Sequence, residues 1–337
     1  MKIAVYAICC NEAKNVDAFL ESIVDADHVT IVDTGSTDDT PELLRTKSIM
    51  LGRHYWPDVA KISIKPFRFD VARNTALALV PDDIDVCIKL DLDETMDAGW
   101  RKGIEDAWTP NTTRLSYQFN YTPTYRYHAS WIHSRHGYVW QYPIHEQLRK
   151  IGADNVSFAP GVSTTHHKDL SKPRDNYLNL LQMAVDEDPC ARNLYYLTRE
   201  HYYHKNWHYA IASAVQYIGL NGEFHEERQD AMSMMADSLL QLGKYRQCAD
   251  MYFKAMGECP WMREPIVAFA KAAMDNGEFS LALGLIEMAL ALTEPSKSIF
   301  VKAEAWGRWP FDMAAACAFK LGAKDKAMTF VKQACAA

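Results

Sequence analysis

The hydrophobic pattern of this 337-residue chain changes period near residue 172, and that change limits what it can fold into. Before it, short apolar runs alternate with segments of helical spacing. "IAVYAIC" (3–9), "HVTIVDT" (28–34), "KISIKPF" (61–67) and "IDVCIKL" (84–90) read as strands. Between the first two, Val16, Phe19, Leu20, Ile23 and Val24 recur at helical spacing, and "VARNTALALV" (71–80) does the same before the last. Thr40 and Pro41 read as the N-cap and first residue of a further helix. Such alternation predicts an α/β unit with a mixed, mostly parallel sheet covered on both faces. Ligands of these sheets sit at the C-terminal strand ends, which puts Asn11, Asp33 and Asp91 along one edge.

Beyond residue 172 the pattern is helix after helix. Asp188-Pro189 reads as a cap and a first helical residue, followed by helices over 206–218, 244–256, 278–292 and 324–336. Each carries a small residue, usually Ala, at a matching offset. Gly243 and Gly277 precede two of them, 34 residues apart, which is the tetratricopeptide period. The other spacings are longer, so the expected all-α repeat domain is irregular. The chain is too long for one comfortable core, and the expected division is 1–170 and 171–337.

A net charge of −7 argues against wholesale coating of nucleic acid. Eight cysteines lack any metal-site spacing and read as reduced thiols. "MKIAVYAICCNEAKN" reads as a buried first strand rather than a leader, and no apolar run is long enough to span a bilayer. The expectation is a soluble, cytoplasmic protein.

The segment "IKLDLDE" (88–94) ends a buried strand in carboxylates. On an extended backbone Asp91 and Asp93 point the same way and face one hard cation, Mg²⁺ or Mn²⁺; a solvated acidic turn is the alternative. In "VDTGSTDDT" (32–40), Asp33 closes a strand, Gly35 permits a tight turn, and Ser36 offers a hydroxyl before the next helix. An acid at such a strand end accepts hydrogen bonds from a ribose or a base edge.

"CNEAKNVDAFLESI", "HVTIVDTGSTDDT", "FDVARNTAL" and "IKLDLDE" occur in this order at natural spacings. Together they resemble the family 2 glycosyltransferases of GT-A (Rossmann-like) fold. The resemblance is closer to a bacterial and phage subgroup with tetratricopeptide-like helices behind that domain, which includes the S-linked bacteriocin glycosyltransferases. It implies that Cys9, Asn11 and Glu12 lie where the first loop meets a nucleotide, and that Asp33, with Gly35 and Ser36, contacts uracil or ribose. Arg73 matches a basic position near the nucleotide, with a helix-to-sheet salt bridge as the other reading. Asp91 and Asp93 match the DxD metal and diphosphate motif.

"YPIHEQLR" (142–149) is similar to a segment on the acceptor side of that subgroup. Glu146 is the candidate base; its other reading is a structural acid paired with Arg135 or Arg149. In "STTHHKD" (163–169), His166 or His167 matches a further metal ligand found at the end of several GT-A domains. The aromatic stretch 121–140 reads as an acceptor cleft. The implied activity is inverting hexosyl transfer from a UDP-sugar with Mg²⁺ or Mn²⁺. The acceptor is open among protein, peptide, glycan, small molecule and modified DNA base, and the helices are expected to select it or to pair subunits into a homo-oligomer. The rival readings are a nucleotidyltransferase with a similar sheet and a non-catalytic repeat scaffold.

Overall fold

The computed structural model describes residues 1–50, 57–123, 125–168, 177–220, 222 and 224–337, without the side chains of 48–50. The chain divides into two compact units, Met1–Asp175 and Asn176–Ala337. The junction expected at 170/171 lies outside the described residues.

In the first unit β1 (Ile3–Cys9), α1 (Val16–Ser22), β2 (His28–Asp33), α2 (Thr40–Met50), β3 (Asp58–Lys61), α3 (Phe69–Leu79) and β4 (Val86–Lys89) follow one another. They are succeeded by β5 (Glu94–Met96), α4 (Trp100–Ala107), β6 (Arg114–Asn120), β7 (Arg126–Ser134), β8 (Tyr138–Gln141), β9 (Gln147–Lys150) and β10 (Val156–His166). The main sheet has the order β3-β2-β1-β4-β7-β6-β10-β5, and β8 and β9 form a separate hairpin. β3, β2, β1 and β4 pair in parallel; β7 pairs antiparallel with β4 and β6, and β5 antiparallel with β10. The mixed, mostly parallel sheet is thus the one the alternation predicts.

β1 is apolar throughout because both its faces are covered. Ile3, Val5 and Ala7 join Phe19 and Leu20 of α1 and Ile23 just after it in one core, while Ala4, Tyr6 and Ile8 join Ala72, Ala76 and Leu77 of α3 in another. Two expectations shift. The third strand is Asp58–Lys61, not 61–67, because its register against β2 ends at Asp33↔Lys61 where β2 itself ends. α2 is capped not by Thr40 but by Asp38, whose Oδ1 accepts from the Thr40 amide at 3.0 Å; the Thr40 hydroxyl instead accepts from the Glu12 amide at 2.7 Å, tying the first loop to the second.

The second unit is all-α: α5 (Tyr177–Glu187), α6 (Ala191–Tyr203), α7 (Trp207–Gly219), α8 (His225–Gln241), α9 (Tyr245–Glu258), α10 (Glu264–Asp275), α11 (Phe279–Leu290), α12 (Trp309–Lys320) and α13 (Lys324–Ala334). α6 begins at Ala191, after Cys190, rather than at Pro189; the Asp188 carbonyl accepts from Asn193 Nδ2 instead. From α6 onward the helices come in pairs closed by one turn. Lys205, Gly243, Gly277 and Gly322 hold φ between +59° and +81°. In each turn the amide of the next residue returns to the carbonyl five residues back, Asn206 to His201, Lys244 to Leu239, Glu278 to Ala273 and Ala323 to Ala318. The repeat is irregular in spacing because the connections between pairs differ in length, and Lys205 takes the left-handed position that glycine marks elsewhere. Ala214, Ala236, Ala270, Ala273, Ala314 and Ala318 are fully buried where helices meet. Tyr195 and Tyr202, two turns apart on α6, donate to Asp230 and Asp237, two turns apart on α8, at 2.9 and 3.0 Å. Tyr203 is 66% exposed, whereas Tyr195, at 4%, locks one helix to the next.

α4 packs on β10 through glycine. A Cβ on Gly103 would stand 2.6 Å from the carbonyl oxygen of Gly161, a backbone atom with little room to move. Gly103→Ala should therefore destabilise the first unit by roughly 1–3 kcal/mol. Gly284, within α11, has open space around it, so Gly284→Ala should stabilise the second by about 0.5–1 kcal/mol. Urea unfolding of the two variants checks both signs.

Candidate active site

The C-terminal ends of β1, β2 and β4 and the two loops beyond β1 and β2 converge. Asn11, at φ +57°, folds its side chain over the second loop, and its Oδ1 accepts from the amides of Thr37 (2.7 Å) and Asp38 (3.3 Å). Its own amide donates to Ser36 Oγ at 3.0 Å. Gly35 sits at φ +125°, which a side chain would strain. Asn11, Gly35 and Ser36 thus fix the two loops against each other. Glu12 is buried, with Oε2 accepting from Asn15 Nδ2 at 2.7 Å.

Asp33, only 1% exposed, ends β2. Its Oδ1 accepts from the Ser36 amide at 3.0 Å, and the Cys9 thiol lies 3.9 Å away. Burial, with Asp33 adding to it, pushes that thiol well above its ordinary range, so Cys9 stays a neutral donor. The second Asp33 oxygen, Oδ2, is buried and has no hydrogen-bond partner among the described residues. A buried, unsatisfied carboxylate oxygen is costly unless something else supplies a donor.

Arg73, buried on α3, reaches across to the end of β4. Its Nη1 and Nη2 donate to both oxygens of Asp91 at 2.8 and 3.1 Å, and its Nε donates to Glu146 Oε1. The guanidinium lies 5.3 Å from the Trp140 ring centre. Burial works against its charge, but Asp91 and Glu146 more than offset that and raise its pKa. Glu146 therefore pairs with Arg73, not with Arg135, which bonds the Val80 and Pro81 carbonyls. It sits at the end of the loop between β8 and β9, where Tyr142 and His145 hold φ +77° and +50°. Left-handed backbone at a tyrosine is strained, and here the strain adjoins the site.

Lys89, the last residue of β4, is buried on the other side of Asp91, with Nζ 2.7 Å from Asp91 Oδ2, 3.3 Å from both oxygens of Glu94 and 4.3 Å from the Trp131 ring centre. Burial alone would raise Asp91, but Arg73 and Lys89 hold it well below the usual carboxylate range. Burial pushes Glu94 up to about 7, with Lys89 opposing and Asp91 adding to the rise. Arg73 and Lys89 are thus interleaved with three carboxylates, Asp91, Glu94 and Glu146. Lys89 was not singled out in the sequence; Glu94 entered only as one of the carboxylates that end the strand, and Trp131 and Trp140 only as part of the aromatic stretch 121–140. The lysine inside "VCIKL" was the available signal, since an unpaired lysine does not belong in a strand buried on both faces.

Asp91 and Asp93 do not lie on an extended segment. The Glu94 amide donates to the Asp91 carbonyl at 2.9 Å, so 91–94 is a turn, and the two carboxylates take different partners. Asp93 Oδ2 is 3.7 Å from His166 Nε2, and that carboxylate raises the imidazole against the opposing effect of burial. His166 stacks on Tyr121, ring centres 5.1 Å apart. His167 turns away to the Thr95 hydroxyl at 2.9 Å. Among the described residues no three His, Cys, Asp or Glu side chains are grouped as a metal cluster. What is assembled is a pair, Asp93 and His166, whose oxygen and imidazole donors suit Mn²⁺ or Mg²⁺ if ligand and water complete the shell. Both Asp91 oxygens are already taken by Arg73 and Lys89.

Among the described residues no helix is long and apolar enough to cross a membrane. No curated protein matches the chain. Among solved structures, the chain is similar to MamA at 14% identity, over 48% of this chain and 85% of that one, with a TM-score of 0.40. It is similar to Pseudomonas aeruginosa pilF at 14% identity, over 46% and 64%, with a TM-score of 0.36. A third is YrrB, titled a TPR protein with an unusual peptide-binding site, at 14% identity, over 48% and 75%, with a TM-score of 0.37. Residues 4–172, half of the chain, match the family described as Glycosyl transferase family 2. The sheet, its loaded C-terminal edge and this match agree: the chain belongs to glycosyl transferase family 2.

Proposed function

We propose that the chain moves a hexose from a UDP-sugar to an acceptor nucleophile with inversion at the anomeric carbon. The observation that carries this reading is Asp33 Oδ2, a buried carboxylate oxygen at a strand's C-terminal end that lacks a donor. The imide N–H of uracil or a ribose hydroxyl supplies one. Asn11, Gly35 and Ser36 hold the loop that admits the nucleoside, and Cys9 and Glu12 line its base.

Arg73 acts as a positioning residue. It holds Asp91 at the diphosphate end and Glu146 at the acceptor end from a single guanidinium. Glu146 Oε2 faces the acceptor, takes its proton as the new bond to the anomeric carbon forms, and the bond to the diphosphate breaks to release UDP. Asp93 and His166 would hold Mg²⁺ or Mn²⁺, with Asp91 supporting that turn through its main chain rather than as a ligand; His167 is left outside the donor set. A bound divalent cation neutralises charge on the departing diphosphate. Tyr121 and the rings around it wall the acceptor side. The helical unit selects the acceptor or pairs subunits, and the chain works in the cytoplasm.

Calorimetry with UDP and Mn²⁺ tests the donor site. Asp33→Ala should weaken UDP roughly ten- to a hundredfold, the worth of a hydrogen bond to a charged group. An unchanged Kd would remove Asp33 from the nucleotide site.

The base and the metal pair are separable. Glu146→Gln should bind UDP normally and transfer about a hundredfold more slowly or worse. Asp93→Ala and His166→Ala should each weaken Mn²⁺ activation, while His167→Ala leaves it intact. Coupled assay of UDP release against metal concentration reads all four variants; release of pyrophosphate in place of UDP would mean nucleotidyl transfer instead.

A further inference from the structure

The connection between α11 and α12 spans 291–308, whereas the corresponding connections before α8 and α10 span 220–224 and 259–263. Its extra length is used to cross three helices. Phe300 packs edge-on against Tyr195 of α6 and against Phe224 at the start of α8, ring centres 6.1 and 5.6 Å apart. Two residues on, Lys302 Nζ lies 3.4 Å from Asp230 Oδ1 of α8, and the Lys302 amide donates to Glu264 Oε1 of α10 at 3.0 Å. Trp306 then anchors the far end, its Nε1 donating to the same Glu264 oxygen at 2.8 Å while Arg263 covers its ring at 4.2 Å.

These contacts have the form of a bound peptide rather than of a core. Beyond a turn closed by the Val301 amide on the Ser298 carbonyl at 3.4 Å, the Phe300 side chain enters an aromatic slot, the Lys302 side chain an acidic slot, and the Lys302 amide meets a fixed acceptor. Ile299 stays 74% exposed, and Lys302 more than half exposed, so the segment lies on the surface it covers. The receiving surface is built: Asp230 and Glu264 are each more than nine-tenths buried. Glu264 Oε2 is buried and has no hydrogen-bond partner among the described residues, so the surface has acceptor capacity the segment does not use.

We infer that residues 299–302 are a releasable internal occupant of a peptide site on α6, α8 and α10. The site takes a segment with an aromatic residue two positions before a lysine or arginine, in a partner chain whose binding displaces the occupant. Tyr195 and Phe224 receive the aromatic ring, Asp230 the cation, and Glu264 the main-chain amide.

The probe is a labelled synthetic peptide of residues 297–306, followed by fluorescence anisotropy on the full-length chain. Two opened variants are used: Phe300→Ala/Lys302→Ala, and a chain with 297–302 replaced by a glycine–serine linker of equal length. Each opened variant should bind the peptide at least tenfold more tightly than the wild type, and a peptide with the lysine changed to glutamate should bind tenfold more weakly. Equal affinity for wild type and opened variants, or no binding to a variant with unchanged helical circular dichroism, overturns the proposal. Hydrogen exchange on the wild type decides independently of both variants. Amides 299–302 should exchange well ahead of those in α8 and α10; protection equal to those helices means a fixed brace and also overturns it.

Discussion

One buried guanidinium organises the sheet edge. Arg73 is removed from water on α3, and its charge is sustainable only because Asp91 and Glu146 meet it. Those two acids come from places far apart in the chain, the end of β4 and a strained hairpin loop. Removing either partner would strand a buried charge, so the three groups constrain one another. Lys89 extends the arrangement to a second buried basic group, which meets both Asp91 and Glu94. A single clamp thereby fixes the spacing between the end that would meet a diphosphate and the end that would meet an acceptor.

Much of the fold was legible because its physics is local. β1, β2 and β4 are apolar on both faces, and that can be read only as strands buried between helices. The paired helices of the second unit were legible where Gly243 and Gly277 mark left-handed turns. They were less so at Lys205, where hydrogen bonding imposes the same turn on a residue whose type does not announce it. β5, β6 and β8 escaped notice because each buries only alternate residues. β6 alternates buried and half-buried residues, and the aromatic stretch 121–140, which holds β7 and most of β8, looks like a binding cleft before it looks like a sheet.

The residues at this edge were legible in the sequence, but their pairings were not. Asp33, Asp91, Asp93, Arg73, Glu146 and His166 do lie at or near one strand edge. Their partners depend on long-range geometry that spacing does not carry. Asp91 and Asp93 sit two apart, yet the turn at 91–94 sends one to Arg73 and Lys89 and brings the other to His166. Glu146 was expected near Arg135 or Arg149, its neighbours in sequence, and found Arg73 instead, because the β8–β9 hairpin folds back on α3, where the Phe69 amide donates to the Pro143 carbonyl at 3.0 Å.

The central claim is that this edge, and no other part of the chain, receives a nucleoside diphosphate. Hydrogen exchange of the full-length protein with UDP and Mn²⁺ tests it most directly. The account predicts slowed exchange in the amides of residues 9–12, 33–38 and 91–94, with the helical unit unchanged. Uniform exchange with and without UDP, or protection confined to the helices, would contradict it.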